Sequence, residues 1–396
     1  MSEEEWEEVL DPDVYSIALD KAVGIVNAMK KAWEYVQPVY EKLEDKIRSE
    51  VRILREPSNS YNVIAVDSTF TPTISLRGIR TGFILLAAVT YPKPERPLFR
   101  LKTFKDKFDE EEEPSSLPSA VAKKAEILVM RDLLRKREDF DVLVRDGDFP
   151  PANALFSSKI WAGLAELAHE VMKTAKEKNK GLVGLVKRIS TSMIAYKFLG
   201  DELIRIIEEA PRKAYKSVVS DLLSDPVLGW LMLDAGEYIE IGRYGDEFGD
   251  LKFAVSYFST MVKRKESYIR RMTDLLDRYE LFNDVKIAFY RPPFSGGPVI
   301  KLTGFNIDLE DFASFSAKAT RGPTYPDFIN LADTACIEHA RVVKPEMIML
   351  DALRVASAKE GLDELRFRGR RADLVALQNV QKIYLFFKSV RGESAR

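Results

Sequence analysis

Between residues 15 and 50, small or apolar side chains recur at Ala22, Val26, Met29, Trp33, Val36, Tyr40, Leu43 and Ile47. The spacing alternates four and three, which predicts one long helix with a narrow apolar stripe. That stripe needs cover, from this chain's own core or from a second copy or another protein. Pro38 lies inside it and predicts a kink or two abutting helices, because proline removes a helical N–H and crowds the preceding turn. After residue 60 the pattern changes. NVIAVD at 62–67, GFILLAAVTY at 82–91 and LFRLKTF at 98–104 read as three strands of a meander with the first one central. An acidic, proline-punctuated loop, KFDEEEEPSSLPS at 107–119, leads to a helix over 119–137 with Val121, Ala125, Leu128, Val129 and Leu133 on one face. DVLVRD at 141–146 is the next strand.

Farther on, the pattern predicts a helix at 157–178, a strand at 181–189 and a helix at 195–209. GWLMLDAG, EYIEIGRYG and LKFAVSYF, between 229 and 258, read as strands with glycine turns. A helix at 265–281, paired strands at 284–291 and 297–305, and helices at 326–342, 344–360 and 373–388 complete the chain. A βββαβ order fits a mixed sheet whose meander feeds a parallel strand through a right-handed crossover. No GxGxxG follows the first strand and no GxxxxGK[ST] occurs, so neither a dinucleotide fold nor a P-loop ATPase fits.

Composition narrows the chemistry. The chain has 396 residues, 46% hydrophobic and 31% charged, as globular proteins do. One cysteine, Cys336, and two histidines, His169 and His339, exclude a cysteine-rich or all-histidine metal site, so carboxylates would have to hold any metal. The acidic MSEEEWEEVL start has no signal-peptide core, and the longest apolar runs are too short to span a bilayer, so the expected location is cytoplasmic and away from membranes. Net charge is −2, yet residues 1–50 carry −7 and leave +5 for the rest. Lys263, Arg264, Lys265, Arg270 and Arg271 form one basic cluster, and Arg366, Arg368, Arg370 and Arg371 another. Local positive grooves on an acidic protein are compatible with screening at physiological salt.

Asp67 and Asp146 each end a predicted strand. On parallel neighbours both carboxylates emerge at one sheet edge, about 5 Å apart. Like charges that close call for a cation. The segments IAVDSTF, LVRDGDF and GLVGLVKRIS, with IAFYRP and TYPDFINLAD later, are similar to the ordered motifs of the archaeal NurA nuclease family. The resemblance runs from about 62 to 340. It implies an α/β, ribonuclease-H-like mixed β-sheet core flanked by helices, with an N-terminal helical extension. On that basis residues 1–55 form the acidic helical region, 56–345 the nuclease domain with inserted strands and helices, and 346–396 a C-terminal helical region packed on the core.

Carried over by position, the resemblance makes Asp67, Glu126, Asp146 and Asp333 the ligands of two Mn²⁺ or Mg²⁺ ions. Asp67 would bridge both ions, Glu126 and Asp146 would hold one, and Asp333 the other. Glu126 is the choice for the helix acid, with Asp132 and Glu138 as alternatives. Lys187 would face the scissile phosphate, and Tyr290 would orient phosphate or water, or stack on a terminal base. Asp333 stands where many members carry a histidine, and His339, six residues on, is off its face. IAVDSTF has Ser for the usual Gly, and LVRDGDF has Asp and Phe for Ser and Leu, with Asp148 a further outer acid. Arg321 is a candidate phosphate contact.

The implied activity is metal-dependent DNA cleavage, as a single-strand endonuclease and 5′–3′ exonuclease. It would act as a homodimer with a HerA-type hexameric ATPase on single strands and duplex ends. The setting would be break resection alongside Mre11 and Rad50. The altered motifs keep two other readings open: a catalytically weak DNA- or helicase-binding subunit, and a carboxylate-metal hydrolase of other phosphate esters.

Overall fold

The structure is a computed structural model that describes residues 12–70, 74–76, 79–107, 116–151, 163–210, 213–245 and 274–343. The expected strand at 251–258, most of the helix at 265–281, both C-terminal helices after 344 and both basic clusters lie outside the described residues.

One long helix, α1 (Pro12–Arg48), opens the chain and runs without interruption through Pro38. Its stripe divides into two parts. Val36, Tyr40, Leu43 and Ile47 are buried in the core, whereas Leu19, Val23, Val26, Met29 and Trp33 are exposed. The first half therefore covers nothing of this chain's described core.

A ten-stranded sheet forms the centre. Its strands are β1 (Arg52–Ile53), β2 (Val63–Phe70), β3 (Ile74–Leu76), β4 (Ile79–Tyr91), β5 (Leu98–Lys107), β6 (Val142–Asp146), β7 (Gly181–Val186), β8 (Glu237–Arg243), β9 (Lys286–Tyr290) and β10 (Ile300–Phe305). Their order is β1-β8-β9-β10-β7-β6-β2-β4-β3, with β5 on the outer side of β4. β2, β6 and β7 are parallel, and the remaining pairings are antiparallel. β2 is central, as expected, with β4 on one side and the crossover strand β6 on the other.

Alternation along β2 sends Ile64 and Val66 into one apolar cluster, and Val63 and Ala65 into the other. The first face is covered by α2 (Ser116–Lys136), α3 (Leu164–Glu177) and the second half of α1. The short helices α4 (Met193–Leu199), α5 (Asp201–Glu208), α6 (Lys213–Leu222) and α7 (Asp225–Met232) extend that layer. The second face is covered by α8 (Leu309–Lys318) and α9 (Asp327–Val343). This is a mixed sheet between helical layers with an N-terminal helical extension, a ribonuclease-H-like α/β arrangement.

Two local expectations are corrected and one helix is added. GWLML belongs to α7 rather than a strand. Ser224 stands at its N-cap position, Pro226 in its first turn, and Leu228 and Met232 are buried one helical turn apart. The helix expected at 195–209 is two helices broken at Gly200, whose φ is +54°. α8 was not anticipated. Asp308 caps it by accepting from the N–H groups of Glu310 and Asp311.

Candidate active site

Parallel pairing of β2 with β6 places Val66 opposite Arg145, so Asp67 and Asp146 emerge side by side where β6 ends, while β2, expected to stop at Asp67, continues along β4 to Phe70. Alternation then sorts their neighbours. Asp67 and Asp146 follow the α9 side of the sheet, and Ser68 and Arg145 the α2 side.

On the α9 side, Lys187 just past β7 joins two acids. Its ammonium lies 2.6 Å from Asp146 and 3.2 Å from Asp333 on α9. Burial alone would lower the Lys187 ammonium. Asp146, then Asp333 and Asp67, outweigh that and hold it above the ordinary lysine range. The phenol of Tyr325 donates to the Lys187 carbonyl at 3.2 Å, which ties the lysine's backbone to the approach of α9. Asp146 is raised by burial despite Lys187.

Asp67 is 8% exposed, and among the described residues no basic side chain forms an ion pair with it. Burial first, then the charges of Asp146 and Glu126, push its carboxyl up to about 7. The Ser68 N–H at 2.7 Å and the field of Lys187 oppose the rise. The Cys336 thiol, three residues after Asp333, donates to the Asp67 carbonyl at 3.2 Å. Burial raises that thiol's pKa well beyond the usual range, which makes it a packing group rather than a nucleophile.

On the α2 side stands Glu126, 4% exposed. It accepts a short hydrogen bond from the Ser68 hydroxyl and pairs with Arg145 at 2.6 Å. Arg145 also donates to the Asp148 carbonyl at 2.7 Å, so it pins the loop after β6. Asp148 pairs with the buried Lys301 on β10 at 2.6 Å. The loop itself needs two glycines. Gly147 has φ +109°, and Gly184 on β7 leaves room for the loop to cross it. A Cβ on Gly184 would lie 2.2 Å from the Phe149 nitrogen and 2.4 Å from the Thr303 hydroxyl. Those two groups hydrogen-bond at 2.8 Å, Phe149 N–H donating.

Of the residues expected at the site, Asp67, Glu126, Asp146, Lys187 and Asp333 meet at this edge. Asp132 lies elsewhere on α2, and the exposed Glu138 pairs with Lys178. Tyr290 is not brought to the acids. It sits on β9, three strands from Asp146, fully buried in the second cluster. Stacking on a base requires an exposure Tyr290 lacks. His339 is stacked on Phe99, ring centroids 4.0 Å apart. Arg321 is exposed and paired with Asp327 at 3.0 Å. Arg145 was not singled out in the sequence. A lone arginine in an apolar strand gives no signal until its helical partner is known.

The donor set is all carboxylate, the chemistry that suits Mg²⁺ or Mn²⁺. Asp67, crowded by two acids and without a cation of its own, fits such an ion. The side-chain positions are not drawn together around one. Among the described residues no group of three or more His, Cys, Asp or Glu side chains is arranged to hold a metal.

No family model matches the chain, and no curated protein matches it in sequence. It is similar to solved structures of nucleases. The fold is similar to that of the NurA nuclease from Sulfolobus solfataricus, with a TM-score of 0.50 at 11% identity, covering 87% of this chain and 98% of that one. A structure of NurA bound to dAMP and manganese covers 80% of this chain and 92% of its own, at 13% identity and TM-score 0.45.

Proposed function

We propose that the chain is a divergent NurA-type deoxyribonuclease that needs a divalent metal. The observation that carries this is the convergence of Asp67, Asp146, Asp333 and Lys187 where the parallel pairing of β2 with β6 ends. Asp67 and Asp146 would hold the metal, with Asp333 and Glu126 completing the set. The metal would supply charge relief and an activated water for phosphodiester hydrolysis. Lys187 has the position to move from its carboxylates onto a phosphate oxygen, since the trio is in contact with solvent. Ser68 and Arg145 orient Glu126. The reading extends to trimming of DNA ends during break resection beside Mre11 and Rad50. A HerA-type ATPase would be the motor, and the exposed stripe of α1 the contact between two copies. Among the described residues no helix is long and apolar enough to cross a membrane. The test incubates the full chain with single-stranded and blunt duplex DNA in Mn²⁺, Mg²⁺ or EDTA, with and without a HerA-type ATPase. Cleavage with metal, absent in EDTA, is expected. None under any condition overturns the assignment.

A second reading has its own observation. Glu126 is held by a buried arginine, which favours a catalytically weak subunit that keeps the fold. Calorimetric titration with Mn²⁺ separates the two. Saturable uptake lost in Asp67→Ala supports the enzyme, and no uptake supports the subunit.

A further inference from the structure

The β4–β5 hairpin and the last turns of α2 enclose a cavity of about 410 Å³ that the acids do not line. Its walls include Ile64, Ala88, Leu98, Val129 and Leu133, apolar side chains from β2, β4, β5 and α2. Arg96, Arg100 and Lys136, also lining it, are exposed, and no acidic side chain among the described residues pairs with any of them. Arg137, a fourth cation in the lining, is already committed to Asp139 and to Glu95 at 3.0 Å. Asp132 is the one acid in the lining. It stands a helical turn before Lys136 without forming an ion pair with it. The volume is that of a site for a small organic molecule.

We propose that this cavity binds a nucleotide-type phosphate ester, the phosphate on Arg96, Arg100 and Lys136 and the sugar or base against the apolar wall. Three uncommitted cations call for more negative charge than one carboxylate supplies, and phosphate accepts from several donors at once. The apolar wall is left bare by inorganic phosphate alone. Asp132 argues against an acyl chain, whose methylenes would desolvate it, and for a body with hydroxyl or amino donors. Register places Arg100 level with Ser68, two strands away across Leu86. The cavity therefore opens on the same side of the sheet as Glu126, without sharing its residues. The shared chemistry has two sources, a free nucleoside monophosphate or the phosphorylated end of a strand.

The test is binding in EDTA, where metal-dependent cleavage is silent, so it stands or falls apart from the nuclease reading. The full chain carrying Asp67→Asn is titrated by calorimetry with dAMP, deoxyadenosine and inorganic phosphate. dAMP is expected to bind best, and Arg100→Ala with Lys136→Ala to weaken it at least about tenfold, the scale of a lost charge-assisted contact. Lys30→Ala with Lys31→Ala removes the same charge from exposed positions on α1 and should change nothing. Circular dichroism checks that each variant is folded. Oligonucleotides with a 5′-phosphate or a 5′-hydroxyl distinguish the sources. A preference for the phosphate that disappears with Arg100 and Lys136 assigns the strand end. Equal binding, with dAMP still sensitive to both residues, assigns the free nucleotide. The proposal is overturned if dAMP does not bind, if inorganic phosphate binds as well, or if the Arg100 and Lys136 variant binds dAMP normally.

Discussion

Two sets of ion pairs stand back to back where the pairing of β2 with β6 ends, and they differ in access to water. Arg145 and Glu126 are 3% and 5% exposed in their side chains. Lys187, Asp146 and Asp333 are 17%, 15% and 45% exposed. The first pair is shut in by α2, and neither charge can be removed without leaving the other buried and bare. The second set touches solvent, so an incoming cation or phosphate can replace a partner at small cost. Equal chemistry thus serves a fixed part on one side of the sheet and an exchangeable part on the other.

The strongest way to break this comparison is Arg145→Met. It leaves Glu126 buried with the Ser68 hydroxyl but no cation and should cost about 3–5 kcal/mol in urea unfolding. Adding Glu126→Leu should recover much of that loss, because a buried pair replaced as a unit is often neutral. A double variant no better than the single one would show that the pair is not closed. Next in size, Asp67→Ala or Asp146→Ala should lower cleavage by about a hundredfold or more, ~3 kcal/mol of barrier, with circular dichroism unchanged. Retention of more than about a tenth of the rate would contradict the assignment, given that estimate.

Lys187→Met should sharpen the contrast from the other side. The trio is more exposed than the Arg145–Glu126 pair, so unfolding should change by less than it does for Arg145→Met while cleavage falls. A loss matching that of Arg145→Met would erase the distinction. The last test varies pH rather than a partner and concerns Asp67 in metal-free buffer. Its carboxyl is raised to about 7 in the fold, from 3.8. The ionised form is therefore disfavoured by folding, and the native state loses stability as pH rises from about 4 through 7. Asp67→Asn removes that dependence. Its melting temperature should match the parent near pH 4 and exceed it increasingly toward pH 8. A constant difference across that range would mean Asp67 does not titrate there.

The strands that carry the site were legible because each opens on an apolar run leading to an aspartate, although β2 runs on past Asp67 to Phe70. NVIAVD and DVLVRD became β2 and β6, and their parallel pairing made Asp67 and Asp146 neighbours. Glu126 was legible only as one of three acids, since the register of α2 decides which one meets the sheet edge. Arg145 stayed hidden, because a buried charge declares itself through a partner 19 positions away that sequence spacing does not reveal. GWLML misled because a short apolar run has no period of its own, and the signals at Ser224 and Pro226 settle it as a helix. Tyr290 was matched to its strand, but alternation turned its ring into the core under α8 and α9.

The division of α1 at Trp33 gives its two halves different controlling variables. The half from Val36 to Ile47 is held by the same burial that holds the sheet and should melt with it. The half before it has roughly 20 residues, a length at which an isolated helix is marginal in water. If a second copy covers Leu19, Val23, Val26 and Met29, mass action governs that half, and its helicity rises with protein concentration while the sheet's does not. Dilution would then act on one end of a single helix and leave the other end untouched.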